Sequence, residues 1–113
     1  HIIEGLKILK KSMELTKSVY QLVSELPLEE KFGLISQIKK SSIPIPSNIA
    51  EGAGRNSNKE FKHFLSIANG SLYELQTQLI LLIDLKIVTK EKVQPVIETR
   101  IEIQKMNYSF QRK

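Results

Sequence analysis

The chain has no cysteine among its 113 residues. Disulfides and cysteine-ligated metals are therefore excluded, and a reducing compartment is compatible. Histidine is almost as scarce, with only His1 and His63. Glu60-Phe61-Lys62-His63 is the single Glu-x-x-His run, whereas di-iron bundles need such a run on two helices. No metal site and no cofactor are expected. Without a thiol, nucleophilic catalysis would need a serine with a base and an orienting acid. His63 is the only internal imidazole, and no serine sits in a strained strand-to-helix elbow. Gly52-Ala53-Gly54-Arg55 lacks the Gly-Lys-Ser/Thr ending and the preceding strand of a phosphate loop. These absences predict a protein that is not an enzyme. The longest apolar run, Leu79 to Ile83, ends at Asp84 and falls far short of the ~20 residues that span a membrane. No secretory leader pattern precedes the first helical pattern, and the expected location is cytoplasmic.

What is present is charge and helical periodicity. Apolar residues make up 41% and charged residues 26%, an ordinary balance for one globular domain covering 1–113. The net charge of +5 favours an anionic partner. No period-two alternation, hairpin signal or repeat interrupts the helical pattern.

Four helices are expected, at about 4–26, 28–54, 58–87 and 90–111. In the first, Leu6, Leu9, Met13, Leu15/Thr16, Val19, Leu22/Val23 and Leu26 recur at three- and four-residue steps. Pro27 stops it and can open the next helix, whose positive end suits Glu29 and Glu30. Leu28, Phe32, Ile35 and Ile38 form the second stripe. Ser57 and Glu60 make a capping box for the third, with Phe61, Phe64/Leu65, Ala68, Leu72, Leu75, Leu79 and Leu82/Ile83 facing inward. Gly70 within it costs roughly 1 kcal/mol against alanine, a cost that close approach of a neighbouring helix would offset. Thr89 caps the fourth, with Val93, Val96/Ile97, Ile101, Gln104 and Tyr108 as its buried face and Pro95 just past its first turn.

The segment from Ser42 to Arg55 holds the densest structural signal. Pro44 and Pro46 each remove a backbone donor, so the second helix either kinks or breaks there. Asn48 and Glu51 have capping-box spacing for a restart, and Gly52 and Gly54 would end the piece. The fold class expected is an all-α antiparallel up-down four-helix bundle, its second helix kinked or interrupted at Pro44/Pro46. Asn48, Glu51, Arg55 and Glu74 could line a groove. Caps and ion pairs are the commoner use of such residues. Lys39, Lys40, Arg55, Lys59 and Lys62 flank the proline segment and the start of the third helix, and are the candidate nucleic-acid contacts. Open amides at that helix start also favour anions. Phe61 and Phe64 belong to the core, so stacking on bases is not indicated.

The runs Gly33 to Ser42, Ile45 to Gly52, Gly54-Arg55, Lys59-Glu60-Phe61 and Phe64 to Leu75 resemble the four-helix bundle proteins encoded within intervening sequences of bacterial 23S ribosomal RNA genes, often labelled S23 ribosomal protein. Asn48-Ile49-Ala50-Glu51-Gly52 is the most specific element. The family usually carries arginine near Lys39 or Lys40, and lysine keeps the charge without the bidentate fork. The resemblance implies an up-down bundle that assembles as a ring, expected to be a pentamer, without catalytic residues. The architecture is also similar to the accessory proteins of diversity-generating retroelements, which form basic pentameric barrels that bind nucleic acid and a reverse transcriptase. The functional expectation is a non-enzymatic, homo-oligomeric protein associated with RNA or another polyanion through a basic surface. The alternative is a scaffold or accessory subunit for a separately encoded protein partner.

Overall fold

A computed structural model describes residues 2–27, 29 and 33–113. Among these, the elements are α1 (Ile2–Ser24), α2 (Leu34–Ser42), α3 (Pro44–Ala53), α4 (Asn58–Asp84) and α5 (Lys90–Gln111), with no strand. Leu28, Glu30 and Phe32, expected in the second helix, lie outside the described residues.

α2 and α3 are one bent helix. Ile43 between them keeps helical angles, its N–H bonds the Lys39 carbonyl, and its own carbonyl accepts from Ser47 N–H. Asn48 and Glu51 therefore cap no restart. The Asn48 amide donates to the Pro44 carbonyl at 2.8 Å, and Glu51 pairs with Arg55. Gly52 does not end the helix either. It is a buried interior position, and Gly54 forms the C-cap.

Side-chain pairs show the antiparallel order. From the start of α1 onward, Glu4, Lys11 and Glu25 meet Lys113, Glu102 and Lys92. α4 runs against the bent helix, with Ser41 Oγ donating to Glu74 at 2.6 Å. It also runs against α5, where the Asn107 and Gln111 amides donate to the Leu65 and Lys62 carbonyls at 3.0 and 2.9 Å. α1 lies beside α5 and the bent helix, α4 lies beside the same two, and among the described residues the diagonal helices make no close backbone approach and meet only through core side chains. The bundle is thus a square, with the α1/α2–α3 edge opposite the α4/α5 edge.

Core positions follow heptad spacing. In α4 they are Phe61, Leu65, Ala68, Leu72, Leu75, Leu79 and Leu82. In α1 they are Gly5, Ile8, Ser12, Leu15, Val19 and Leu22. In α5 they are Val93, Val96, Arg100, Ile103, Asn107 and Phe110. Alternating steps of three and four keep one face on the seam. This corrects two of the expected stripes. Leu6 and Met13 are 58% and 47% exposed, and Ile101 and Tyr108 also face outward. Small or polar residues hold seam positions in both helices, and the apolar side chains beside them are left outside.

Two glycines mark the closest helix approaches. A Cβ on Gly5 would sit 2.9 Å from Ala53 Cβ, and one on Gly52 would sit 2.7 Å from Phe64 Cβ. Gly70 is the opposite case. A Cβ there would meet nothing within 4 Å, so no neighbouring helix compensates this glycine. Ser57 and Thr89 cap α4 and α5, accepting from the Glu60 and Lys92 N–H groups. α4 ends at Asp84, short of the expected boundary near 87, because Lys86 turns left-handed at φ 61°. Ile87 and Lys86 N–H groups then bond the Leu82 and Ile83 carbonyls, a Schellman motif built without glycine.

Candidate nucleic-acid interface

The five expected contact residues do not form one cluster. Lys39 and Lys40 sit in the middle of the bent helix, roughly 20 Å along its axis from Gly54 at 1.5 Å per residue. The Lys39 ammonium lies over the Tyr20 ring, 5.1 Å from its centroid. Arg55 is committed locally: it bonds Glu51 at 2.8 Å and stacks over Phe64 at 5.0 Å. Lys59 and Lys62 lie in the first turns of α4, and neither ammonium meets a carboxylate among the described residues.

The fold brings other cations beside this second group. Phe61 and Phe110 pack edge to face at 4.6 Å, joining the start of α4 to the end of α5. Gly5 lies against Phe61 and Ala53, which adds the start of α1. One end of the bundle therefore gathers Arg55, Lys59 and Lys62 with Lys7, Lys105, Arg112 and Lys113. Only Glu4, Glu51 and Glu60 oppose them there among the described residues. Glu4 is held below the usual carboxylate range by its 2.7 Å bond to Lys113. Lys7, Lys105 and Lys113 rim a shallow cavity of about 320 Å³ between α1 and α5, floored by Ile8, Met106 and Phe110. Sequence distance hides this grouping, since antiparallel closure is what joins residues near 7 to residues near 110.

A second surface lies on the α4/α5 edge. The two helices part around a groove of about 280 Å³, lined by Ser66, Asn69 and Tyr73 of α4 and by Gln104, Asn107, Tyr108 and Gln111 of α5. Every lining side chain is a neutral hydrogen-bonding group. Tyr73 and Tyr108 are 50% and 63% exposed. At its edge the Gln104 amide donates to the Tyr73 hydroxyl at 2.9 Å and accepts from Arg100 Nη1. Arg100 is 8% exposed, and its Nε has no hydrogen-bond partner. Burial pulls its guanidinium below the ordinary arginine value. Farther along the same edge the surface turns apolar at Ile80 and Ile101. The opposite edge exposes Leu6, Met13 and Ile43. Among the described residues no group of acids and histidines could hold a metal, and no helix is long and apolar enough to cross a membrane.

This geometry has counterparts among known proteins. A family model described as 23S rRNA-intervening sequence protein matches residues 4–109. A crystal structure from Bacteroides thetaiotaomicron VPI-5482, of a protein of unknown function from the S23 ribosomal protein family, is similar at 28% identity and a TM-score of 0.87. The match covers 97% of this chain and 99% of that one. No curated protein matches.

Proposed function

The chain belongs to the 23S rRNA-intervening sequence protein family, and from that premise we propose that it is a non-enzymatic, self-associating protein that binds RNA through the basic end of its bundle. The observation that carries this reading is the gathering of seven cations against three carboxylates at one end. Such a footprint neutralises phosphates and releases counterions, so binding weakens steeply with salt and depends little on sequence.

Self-association is supported by the two apolar edges. Leu6, Met13 and Ile43 lie on one side of the square, and Ile80 and Ile101 on the other. Different patches on opposite sides suit head-to-tail contact, which generates a ring when the rotation closes. A pentamer would repeat the basic end five times and turn weak contacts into avid ones. The same apolar edges favour the second reading, a scaffold for a separately encoded protein.

Mass measurement in solution, with and without RNA across a salt series, tests the proposal. A discrete oligomer whose RNA complex dissociates as salt rises is expected. An assembled protein that binds no RNA, or binds it independently of salt, overturns the RNA reading. Capture of one specific protein that survives nuclease treatment then selects the scaffold.

A further inference from the structure

Behind Gln104, which lines the groove between α4 and α5, lies a buried charge. Arg100 occupies a seam position, more than nine-tenths buried, and among the described residues no carboxylate pairs with it. Its Nε is unpartnered, and so is Gln76 Oε1, one turn along α4 from Tyr73. A buried charge left this way is costly, and no carboxylate among the described residues compensates it. The polar relay points outward instead. Arg100 donates to Gln104, Gln104 donates to the Tyr73 hydroxyl, and the Tyr73 hydrogen has no protein acceptor among the described residues. Each donor in such a chain strengthens the next, so Tyr73 presents a polarised O–H to whatever enters the groove.

The lining gives the chemistry of the occupant. The side chains of Asn69 and Tyr108 make no hydrogen bond within the chain among the described residues, and Asn107 and Gln111 use their amide nitrogens on α4 carbonyls, which leaves their oxygens open. Asn69 both donates and accepts, the open oxygens of Asn107 and Gln111 accept, and together they match the edge of a base, while exposed tyrosine rings offer a stacking surface. Arg112 lies over the Tyr108 ring, 5.5 Å from its centroid, and extends the basic end to the groove's mouth. We infer that the α4/α5 groove receives one unpaired nucleotide of a single RNA strand, its base against Tyr108 and an acceptor oxygen on the Tyr73–Gln104–Arg100 relay. This deepens the RNA reading above and rests on it. The sequence alone does not indicate stacking, because Tyr73 and Tyr108 come to line one groove only through the antiparallel pairing of α4 with α5.

The test compares a single-stranded RNA oligomer carrying 2-aminopurine with a duplex of equal length, in the wild type and in Tyr108→Ala and Gln104→Ala. Tyr108 is on the surface, so its removal leaves the core intact. The single strand is expected to bind about tenfold tighter than the duplex, with quenched 2-aminopurine emission. Both variants should lose that preference and the quenching while keeping duplex affinity and its salt slope. Unchanged single-strand preference in both variants, with salt-sensitive RNA binding intact, overturns the groove and leaves the RNA reading standing. Equal competition by free adenosine monophosphate overturns the strand assignment. Failure of both RNAs to bind removes the RNA reading and the groove with it.

Discussion

Thr16 of α1 donates its hydroxyl hydrogen to the Ser42 carbonyl of the bent helix at 3.3 Å, while also reaching Ser12 O at 3.2 Å. Ser42 is four residues before Pro46, so its carbonyl is the one that Pro46, lacking an N–H, cannot satisfy. The neighbouring helix thus supplies the donor that proline removes, and α2–α3 bends without breaking. Thr16→Val keeps the shape and deletes the bond. It is expected to lower unfolding free energy by about 1 kcal/mol in urea titration, and Thr16→Ser should recover most of the loss. Equal stability of all three proteins would show that Ser42 O needs no such partner.

Glycine substitutions should split by location. Gly70→Ala places a methyl in open space and should stabilise by up to about 1 kcal/mol. Gly52→Ala drives a Cβ to 2.7 Å from Phe64 Cβ and should destabilise by roughly 1–3 kcal/mol, because neither backbone can yield cheaply. Thermal melts of the two variants are expected to move in opposite directions.

Lys86 ends α4 with a left-handed backbone at φ 61°. Lys86→Gly relieves a strain of about 1 kcal/mol and keeps the Schellman bonds. A rise in melting temperature is expected, and a fall would show that the lysine side chain contributes more than its backbone costs.

The cations divide into two groups with different expected effects. Neutralising Lys59, Lys62 and Arg112 together should weaken RNA binding and flatten its salt dependence, by about one unit of slope for each phosphate left without a cation. Neutralising Lys39 and Lys40, well away from that end, should leave the slope unchanged. The reverse pattern would move the interface to the middle of the bent helix.

Lys11 bridges Glu102 at 3.0 Å and Glu14 at 3.3 Å, and both raise its pKa above the ordinary lysine value, Glu102 the more. A raised folded value means that the contribution is complete below the unfolded lysine pKa and is lost as pH rises through the folded one. Lys11→Met should therefore melt lower than wild type at neutral pH, with the gap closing at strongly alkaline pH and shrinking in high salt. A gap that is constant with pH would assign the loss to the aliphatic stem.

The sequence makes α4 plain and leaves α1 and α5 half hidden, for one physical reason. α4 fills all its seam positions with Phe61, Leu65, Leu72 and their kind, so counting apolar residues finds the buried face. α1 puts Gly5 and Ser12 there, Gly5 because the helices approach too closely for a larger group, and α5 puts Arg100 and Asn107 there. Apolar counting then drifts to Leu6, Met13, Ile101 and Tyr108, which face outward. The caps at Ser57 and Thr89 depend on local spacing and can be read directly. The basic end and the groove depend on which helices pair, and no local pattern carries that.

The bond from Asn107 to the Leu65 carbonyl, made inside the α4–α5 seam, sets an axial ruler. Two helices with repeating seams can slip past each other by a heptad, about 10 Å, and still bury apolar surface. A slipped state breaks this buried rung together with the Gln111 bond to the Lys62 carbonyl and the Gln104 bond to the Tyr73 hydroxyl, and must re-form all three on other partners. Tyr73 stays level with Gln104, and Lys62 with Gln111, because three rungs agree on one alignment. An Asn107→Leu chain could still form a bundle, but with its buried rung gone only the two outer ones would hold the groove and the basic end to the same latitude.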